Sequence, residues 1–368
     1  MLARTRGLVA ERLVHIEKVG GSIPPGSTVN ILFFSRLFYP HIGGVEKHLL
    51  EISRLLLKKG HEVSIVTEQH EKKIKLEEKF EGIKIYRIPD LSEGWVKKFR
   101  IWLWLWKHKD LVAKADIVHC HDVFFWYLPF RFLFFRKPVY TTFHGYESYP
   151  IKRKSIWVRK ISEKLSKGNI CIGSFMKKWY GVKPDYVSYG GVNIVNSEKL
   201  KVKSSAGAVF IGRLDEQTGI KTYVNAVKLI KKKIPNFKFE IVGDGKYRKE
   251  IEKDFKVLGF QKKPEKYFLE YNFAFVSRYL TIFEAMAAKR LVFAAYDNPL
   301  KEDYLKMSPF AELINIVGSE NELAEKVLHF LNNPKEAEML VENAFEWIKK
   351  NTWKEMYDTY LRLWNNSF

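Results

Sequence analysis

The 368-residue sequence predicts an α/β protein built as two doubly wound domains facing each other across a cleft. Three observations carry that expectation. The length suits two domains of about 150–200 residues better than one core. Strand and helix patterns alternate in two successive series. A glycine pair, Gly190-Gly191, separates the series, and the C-terminal ends of such strands are where these sheets bind ligands.

Residues 1–27 end in Gly20-Gly21-Ser22-Ile23-Pro24-Pro25-Gly26, so they are assigned to an N-terminal arm or linker. The first domain is placed at 28–192. It opens with a β-branched and aromatic strand at 29–35 and a glycine turn at Gly43-Gly44. Val45, Leu49, Ile52, Leu55 and Leu56 then recur at helical spacing up to Gly60, a helix stop. Further strands are expected at 62–67, 83–88, 116–120 and 139–143. The second domain is placed at 193–368, with strands at 208–212, 237–242, 273–276, 291–294 and 312–317. Its helices fall at 221–232, around Ala285-Met286-Ala287, and from 320 to 364. The last of these are expected to return to the first domain.

No stretch reaches the ~20 apolar residues that span a bilayer. The nearest, 123–135, is interrupted by Pro129 and Arg131. Arg4, Arg6, Glu11 and Arg12 break up residues 1–19, which argues against a signal peptide. Cys120 and Cys171 cannot build a disulfide framework, and a reducing, cytoplasmic setting is expected. The net charge of +21 attracts phosphorylated ligands, anionic membrane or nucleic acid, or is the solvated surface of a lysine-rich protein. Nucleic acid is set aside, because it rests on charge alone without a reader module.

The chain has no G-x-G-x-x-G, no phosphate-binding G-x-x-x-x-G-K-[ST] loop and no Asp-x-Asp. Dinucleotide oxidoreductases and P-loop enzymes lose ground accordingly, and neither a metal nor a cofactor is expected. A leaving phosphate would be neutralised by Arg, Lys, backbone N–H groups and helix ends. One such place is Phe38-Tyr39-Pro40-His41-Ile42-Gly43-Gly44-Val45-Glu46-Lys47-His48. Its glycines allow close backbone approach and its helix start favours an anion; a plain strand-to-helix turn would read the same way. His119 and His121 share one face of a strand and could reach one ion. No Cys or further His nearby in sequence lies on that same face to complete a metal set, so His119, His121 and Asp122 are read as lining the cleft.

Pro40-x-x-Gly43-Gly44-Val45-Glu46, then Gly60-His61-Glu62-Val63, resembles the opening of family 4 glycosyltransferases. Later pieces follow in the same order: Asp116-Ile117-Val118-His119-Cys120-His121, Thr142-Phe143-His144-Gly145, Gly190-Gly191-Val192-Asn193, Gly212-Arg213-Leu214, Val242-Gly243-Asp244-Gly245 and Glu284-Ala285-Met286-Ala287. The resemblance runs from residue 29 to the C-terminus and implies the GT-B fold, two Rossmann-like domains around a nucleotide-sugar cleft. It implies retaining transfer from a nucleoside-diphosphate sugar, usually without a metal. Gly43 and Gly44 would face the donor phosphates or the acceptor, and His144 the donor sugar. Arg213 would neutralise the diphosphate and Glu284 would hold the ribose hydroxyls. Gly243, Asp244, Gly245 and the Leu258-Gly259-Phe260 stretch would hold the base.

Thr281-Ile282-Phe283-Glu284 also fits a capping box, in which Glu284 satisfies a backbone donor. Two departures from the family stand out. Thr218 occupies the place of a Lys that usually shares the diphosphate with Arg213, and Val276 that of the first Glu of a Glu-x7-Glu pair. Arg278 is the candidate replacement cation, with Ser277 and Thr281 as candidate phosphate contacts.

The segment 94–107 is aromatic and basic. On a helix Phe99, Trp102 and Trp106 share a face, flanked by Lys97, Lys98, Arg100 and Lys107. That pattern suits an anionic membrane surface and, equally, a helix packing its tryptophans onto the sheet. A retaining glycosyltransferase acting on a glycan or lipid-linked acceptor at the inner membrane face is the leading expectation. The alternatives are a nucleotide-sugar epimerase and a non-catalytic protein that only binds nucleotide sugars.

Overall fold

In the computed structural model, which describes residues 28–89, 94, 96–194 and 206–365, the first element is strand β1 (Asn30–Ser35). Every residue of β1 after Asn30 is buried, as expected of a strand covered on both faces. The first domain continues with α1 (Gly44–Lys58), β2 (Glu62–Glu68), β3 (Glu77–Phe80), β4 (Ile83–Ile88), α2 (Val96–Lys107) and α3 (Lys109–Lys114). Next come β5 (Ile117–His121), α4 (Phe124–Leu133), β6 (Val139–His144), α5 (Arg153–Leu165), β7 (Gly168–Ile172), α6 (Phe175–Tyr180) and β8 (Tyr186–Ser188). The arm assigned to 1–27 lies outside the described residues.

The second domain contains β9 (Gly207–Ile211), α7 (Ile220–Lys233), β10 (Lys238–Val242), α8 (Arg248–Ile251), β11 (Phe273–Phe275) and α9 (Tyr279–Ala287). It proceeds through β12 (Leu291–Ala295), α10 (Pro299–Lys306), β13 (Asn315–Val317), α11 (Glu320–Asn332) and α12 (Pro334–Ile348) to α13 (Trp353–Asn365).

The first sheet has the order β3-β4-β2-β1-β5-β6-β7-β8, and the second β10-β9-β11-β12-β13. All pairings are parallel except β3 with β4. Strand order reverses between β1 and β5 in one sheet, and between β9 and β11 in the other. Loops splay apart at such switch points and leave a crevice beyond the strand ends. The GT-B architecture follows: two Rossmann-like sheets, each with one crevice.

Alternation along each strand builds the layers. Leu32, Phe34, Val118 and Cys120 pack with Ile101, Leu105, Val112 and Tyr127 of α2, α3 and α4. Ile31, Phe33 and Ile117 point the other way, toward Leu49 and Ile52 of α1 and Leu363 and Trp364 of α13. That second layer runs on without a break through Ile282, Phe283 and Met286 of α9 to Val209 and Val292 of the second sheet. The last helix therefore belongs by packing to the first domain. The chain crosses between domains at Gly191, where an added Cβ would lie 2.6 Å from the Trp353 nitrogen; the Val192 N–H donates to the Asn351 carbonyl at 3.2 Å.

Candidate active site

The first switch point is floored by imidazoles. His119 is fully buried: its Nδ1 accepts from Trp364 Nε1 at 3.1 Å, which leaves Nε2–H to donate to Thr142 Oγ1 at 2.8 Å. This corrects the expectation that His119 and His121 line the cleft: both are buried, at 0% and 1% exposure, behind Trp364 and Tyr360 of α13. Tyr360 Oη links Thr142 at 3.1 Å to His48 Nε2 at 3.0 Å. His121, one step nearer the strand end, places Nδ1 2.9 Å from His144 Nε2.

Among the described residues the buried Nε2 of His121 has no partner. An orphaned N–H is costlier than an unused lone pair, so His121 carries its proton on Nδ1 and donates it to His144. His144 is then protonated on Nδ1. Burial holds His48 down at about 3. Burial, followed by the neighbouring rings, keeps His119, His121 and His144 well below the ordinary histidine range. Asp122 has φ of 58° and accepts the His144 N–H with both carboxylate oxygens at 3.1 Å. It therefore fixes the end of β6, with Arg159 3.7 Å away.

At the start of α1, Gly43 is the N-cap, in extended conformation and without a side-chain cap. Glu46 fills the space beside it: a Cβ on Gly43 would meet Glu46 Oε2 at 2.4 Å, and Glu46 Oε1 lies 2.8 Å from His41 Nδ1. Gly44 faces the opposite wall, its Cβ direction 3.8 Å from Leu280 Cδ1.

On that wall, Arg213 and Arg278 both donate to the Gln217 side-chain oxygen, Arg213 at 3.1 Å. Gln217 in turn donates across the cleft to the Glu147 carbonyl at 2.6 Å. The Arg278 guanidinium lies 5.2 Å from the Tyr146 ring and 5.9 Å from that of Tyr304, so it reaches the loop that follows His144. The two arginines singled out in the sequence are thus neighbours.

Thr218 turns inward, donating to the carbonyls of Arg213 at 2.7 Å and Asp215 at 2.9 Å. Ser277 does the same toward the Thr218 carbonyl at 2.8 Å, which removes its hydroxyl from the cleft and corrects its assignment as a phosphate contact. Lys301, buried and pushed well down by burial, donates to the Ser277 carbonyl.

Helix α9 begins at Tyr279 with Arg278 as N-cap, so Thr281 is inside the first turn and the capping-box reading of Glu284 fails. Glu284 instead meets Lys47 of α1 at 2.5 Å. Burial raises its carboxyl, and Lys47 opposes the rise. Sequence reasoning missed Lys47, Gln217, Tyr146 and Lys301; each is a polar or aromatic residue whose partner lies on a distant element.

The remaining loops of this wall converge behind Arg213. The Gly243 N–H donates to the Gly259 carbonyl at 2.9 Å, and a Cβ at 243 would lie 1.8 Å from the Gly212 oxygen, so only glycine fits. Asp244 accepts from the Gly245 N–H at 2.8 Å and from Arg248 at 2.6 Å. The Leu258 N–H donates to the Ile241 carbonyl at 2.8 Å, which brings 258–260 beside this turn.

On α2, Trp102 is half-buried and donates to the Phe125 carbonyl at 3.0 Å, and Lys97 pairs with Glu68 at 2.7 Å. These two residues serve packing, which corrects their assignment to a membrane face. The outward face is Phe99, Leu103 and Trp106, all more than half exposed, with Lys98 and Arg100 on the same helix. Phe132 and Phe135 are exposed at the end of α4 and just beyond it. Among the described residues no group of three His, Cys, Asp or Glu side chains is placed to hold a metal ion. Nor is any described helix long and apolar enough to cross a membrane.

Two family descriptions match in tandem: Glycosyltransferase Family 4 over residues 42–192, and Glycosyl transferases group 1 over 195–347. The chain belongs to the family 4 glycosyltransferases. An uncharacterized glycosyltransferase of Methanocaldococcus jannaschii is 25% identical to it over 346 residues, 87% of this chain and 93% of the relative. The GPI3 subunit of phosphatidylinositol N-acetylglucosaminyltransferase from Saccharomyces cerevisiae is 35% identical over 60 residues, 16% of this chain and 13% of that protein. Among solved structures, sucrose-phosphate synthase of Thermosynechococcus elongatus superimposes with a TM-score of 0.73 at 17% identity, covering 92% of this glycosyltransferase and 98% of that chain. Anabaena HepE, solved with UDP and glucose, gives 0.69 at 15% identity over 90% and 99%. At those identities the likeness is one of fold.

Proposed function

We propose that this glycosyltransferase moves a sugar, with retention of configuration, from a nucleoside-diphosphate sugar to a glycan or lipid-linked acceptor at the cytoplasmic face of a membrane. The observation that carries the reading is the convergence of Arg213 and Arg278 on Gln217, across from His144. Charge that develops on a departing diphosphate needs fixed donors where it appears. Two planar guanidiniums held by one amide supply them without a metal. The Nδ1–H of His144, set by His121, supplies a hydrogen bond to the transferred sugar. Retention follows the family resemblance, and the UDP and glucose of HepE support a nucleotide-sugar donor. The exposed aromatic and basic face of α2 supports an acceptor held at a bilayer.

Thermal unfolding with UDP, GDP, ADP and CMP, and with their sugars, tests the donor. One nucleotide should stabilise the protein by about 1 kcal/mol or more at saturating ligand, and Arg278→Ala should lower both its affinity and turnover. No response to any nucleotide, or an Arg278→Ala variant equal to the parent in both, overturns the reading. Nucleotide binding without transfer or donor hydrolysis would leave a binding protein instead of an enzyme.

A further inference from the structure

Helices α2, α4 and α5 follow the C-terminal ends of β4, β5 and β6, the side of the first sheet on which its crevice opens. Their first turns bring two lysines together. The Lys98 ammonium of α2 lies over the Phe125 ring of α4, 4.7 Å from its centroid, and Lys154 of α5 stands close enough to repel it. Burial first, and then the charge of Lys154, holds Lys98 below the ordinary lysine range. Among the described residues neither lysine has a carboxylate partner. The sequence around them offers none, because residues 94–109, 123–146 and 148–162 contain no Asp or Glu. Like charges held side by side disfavour each other, and an anion that joins both relieves the repulsion.

Exposed aromatic rings adjoin the pair. Phe99, next to Lys98, is 55% exposed; its ring lies 5.6 Å from that of Trp102, which lies 4.8 Å from Phe125. Trp157, one turn after Lys154 on α5, is 67% exposed. A soluble phosphate has no use for such rings, whereas beside a lipid headgroup they enter the acyl boundary. Resting on the membrane part of the reading above, we propose that Lys98 and Lys154 form a seat for the phosphomonoester headgroup of an anionic lipid, with Phe99 and Trp157 entering the bilayer beside it. A phosphomonoester carries a charge of about −1.5 to −2 near neutral pH, so one group matches both ammoniums. A phosphodiester carries a single charge and matches one of them. The seat therefore selects among anionic lipids, beyond the general attraction of a basic surface to a negative one.

Flotation of the full chain with phosphatidylcholine vesicles containing either phosphatidic acid or phosphatidylglycerol, at matched surface charge, tests this. The parent should bind the phosphatidic acid vesicles about fivefold more tightly, the worth of one further lysine–headgroup contact. Lys98→Gln combined with Lys154→Gln should bring the two lipids level. Lys107→Gln combined with Lys109→Gln, which removes as much charge elsewhere on the first domain, should weaken both and keep the preference. Soluble glycerol 3-phosphate at millimolar concentration should leave the vesicle-bound protein in place; displacement would assign the seat to a soluble ester and overturn the lipid. A parent that binds both lipids equally, or two double variants that lower them in step, overturns the inference and leaves membrane contact standing. A parent that floats with neither overturns the membrane reading and the inference together, and the nucleotide titrations still decide the donor.

Discussion

His121 and His144 sit on adjacent parallel strands, and their 2.9 Å contact makes one ring the orienting partner of the other. If His121 sets the proton on Nδ1 of His144, then His121→Phe should lower kcat by about 10²-fold, the cost of losing one aligned donor. Nucleotide affinity should stay near that of the parent. Nitrogen-15 chemical shifts of the imidazoles report the tautomer directly, and an unchanged His144 pattern in His121→Phe would sink the assignment. The histidines were legible in the sequence as a pair on one strand face, and they do share that face. What spacing alone misjudged was depth. His119 lies one step farther from the strand end than His121, and Trp364, 245 positions away, closes over it.

At the scale of elements, α2 shows how a helix divides its residues between core and surface. Its pattern alone allowed both membrane contact and packing on the sheet, and the helix divides between them. Ile101 and Leu105 go to the core and Trp102 to α4, while Phe99, Leu103 and Trp106 stay outward. A triple Phe99→Ser, Leu103→Ser, Trp106→Ser variant removes the apolar half of that face without touching the cleft. It should lose flotation with vesicles containing anionic phosphatidylserine while keeping nucleotide binding. Equal flotation of parent and variant, or none by the parent, refutes membrane contact through α2. Strands β3, β7 and β8 had no clear signal in the sequence. Glu77–Phe80 is a short, polar edge, and Gly168–Ile172 is five residues with a glycine and an asparagine. The sheet supplies their hydrogen bonds, so tertiary context overrides weak propensity there.

The whole molecule carries a pH dependence written by its buried imidazoles. His48 is held at about 3, against 6.5 in an unfolded chain. Between those values the unfolded state binds a proton that the folded state refuses, so stability rises with pH and is lost on acidification below 6.5. His119, His121 and His144 act in the same direction. Asp122 and Glu284, whose carboxyls burial raises, pull the other way. Each imidazole contributes at most about 1.4 kcal/mol per pH unit. Urea unfolding should therefore show a lower free energy at pH 5.5 than at 7.5, and His48→Gln should flatten the difference. Stability that is equal or higher at pH 5.5 would contradict the burial of these rings.

Fold class, the two strand-helix series and the order of loop motifs are local properties of the chain. Hydrophobic period and glycine placement act over a few residues, so the sequence by itself determined them. It also marked Arg213, Arg278, His144 and Glu284 as the residues to watch. Their partners were decided only in three dimensions. Lys47 meets Glu284 across 237 positions, and Arg278 meets Gln217 across 61. Tyr360 reaches back 312 positions to His48. Such contacts form because two separate sheets and a returning helix bury one continuous apolar layer, and that burial places the polar groups at its edge opposite one another. No local pattern encodes which charge will face which; the packing of the layers does.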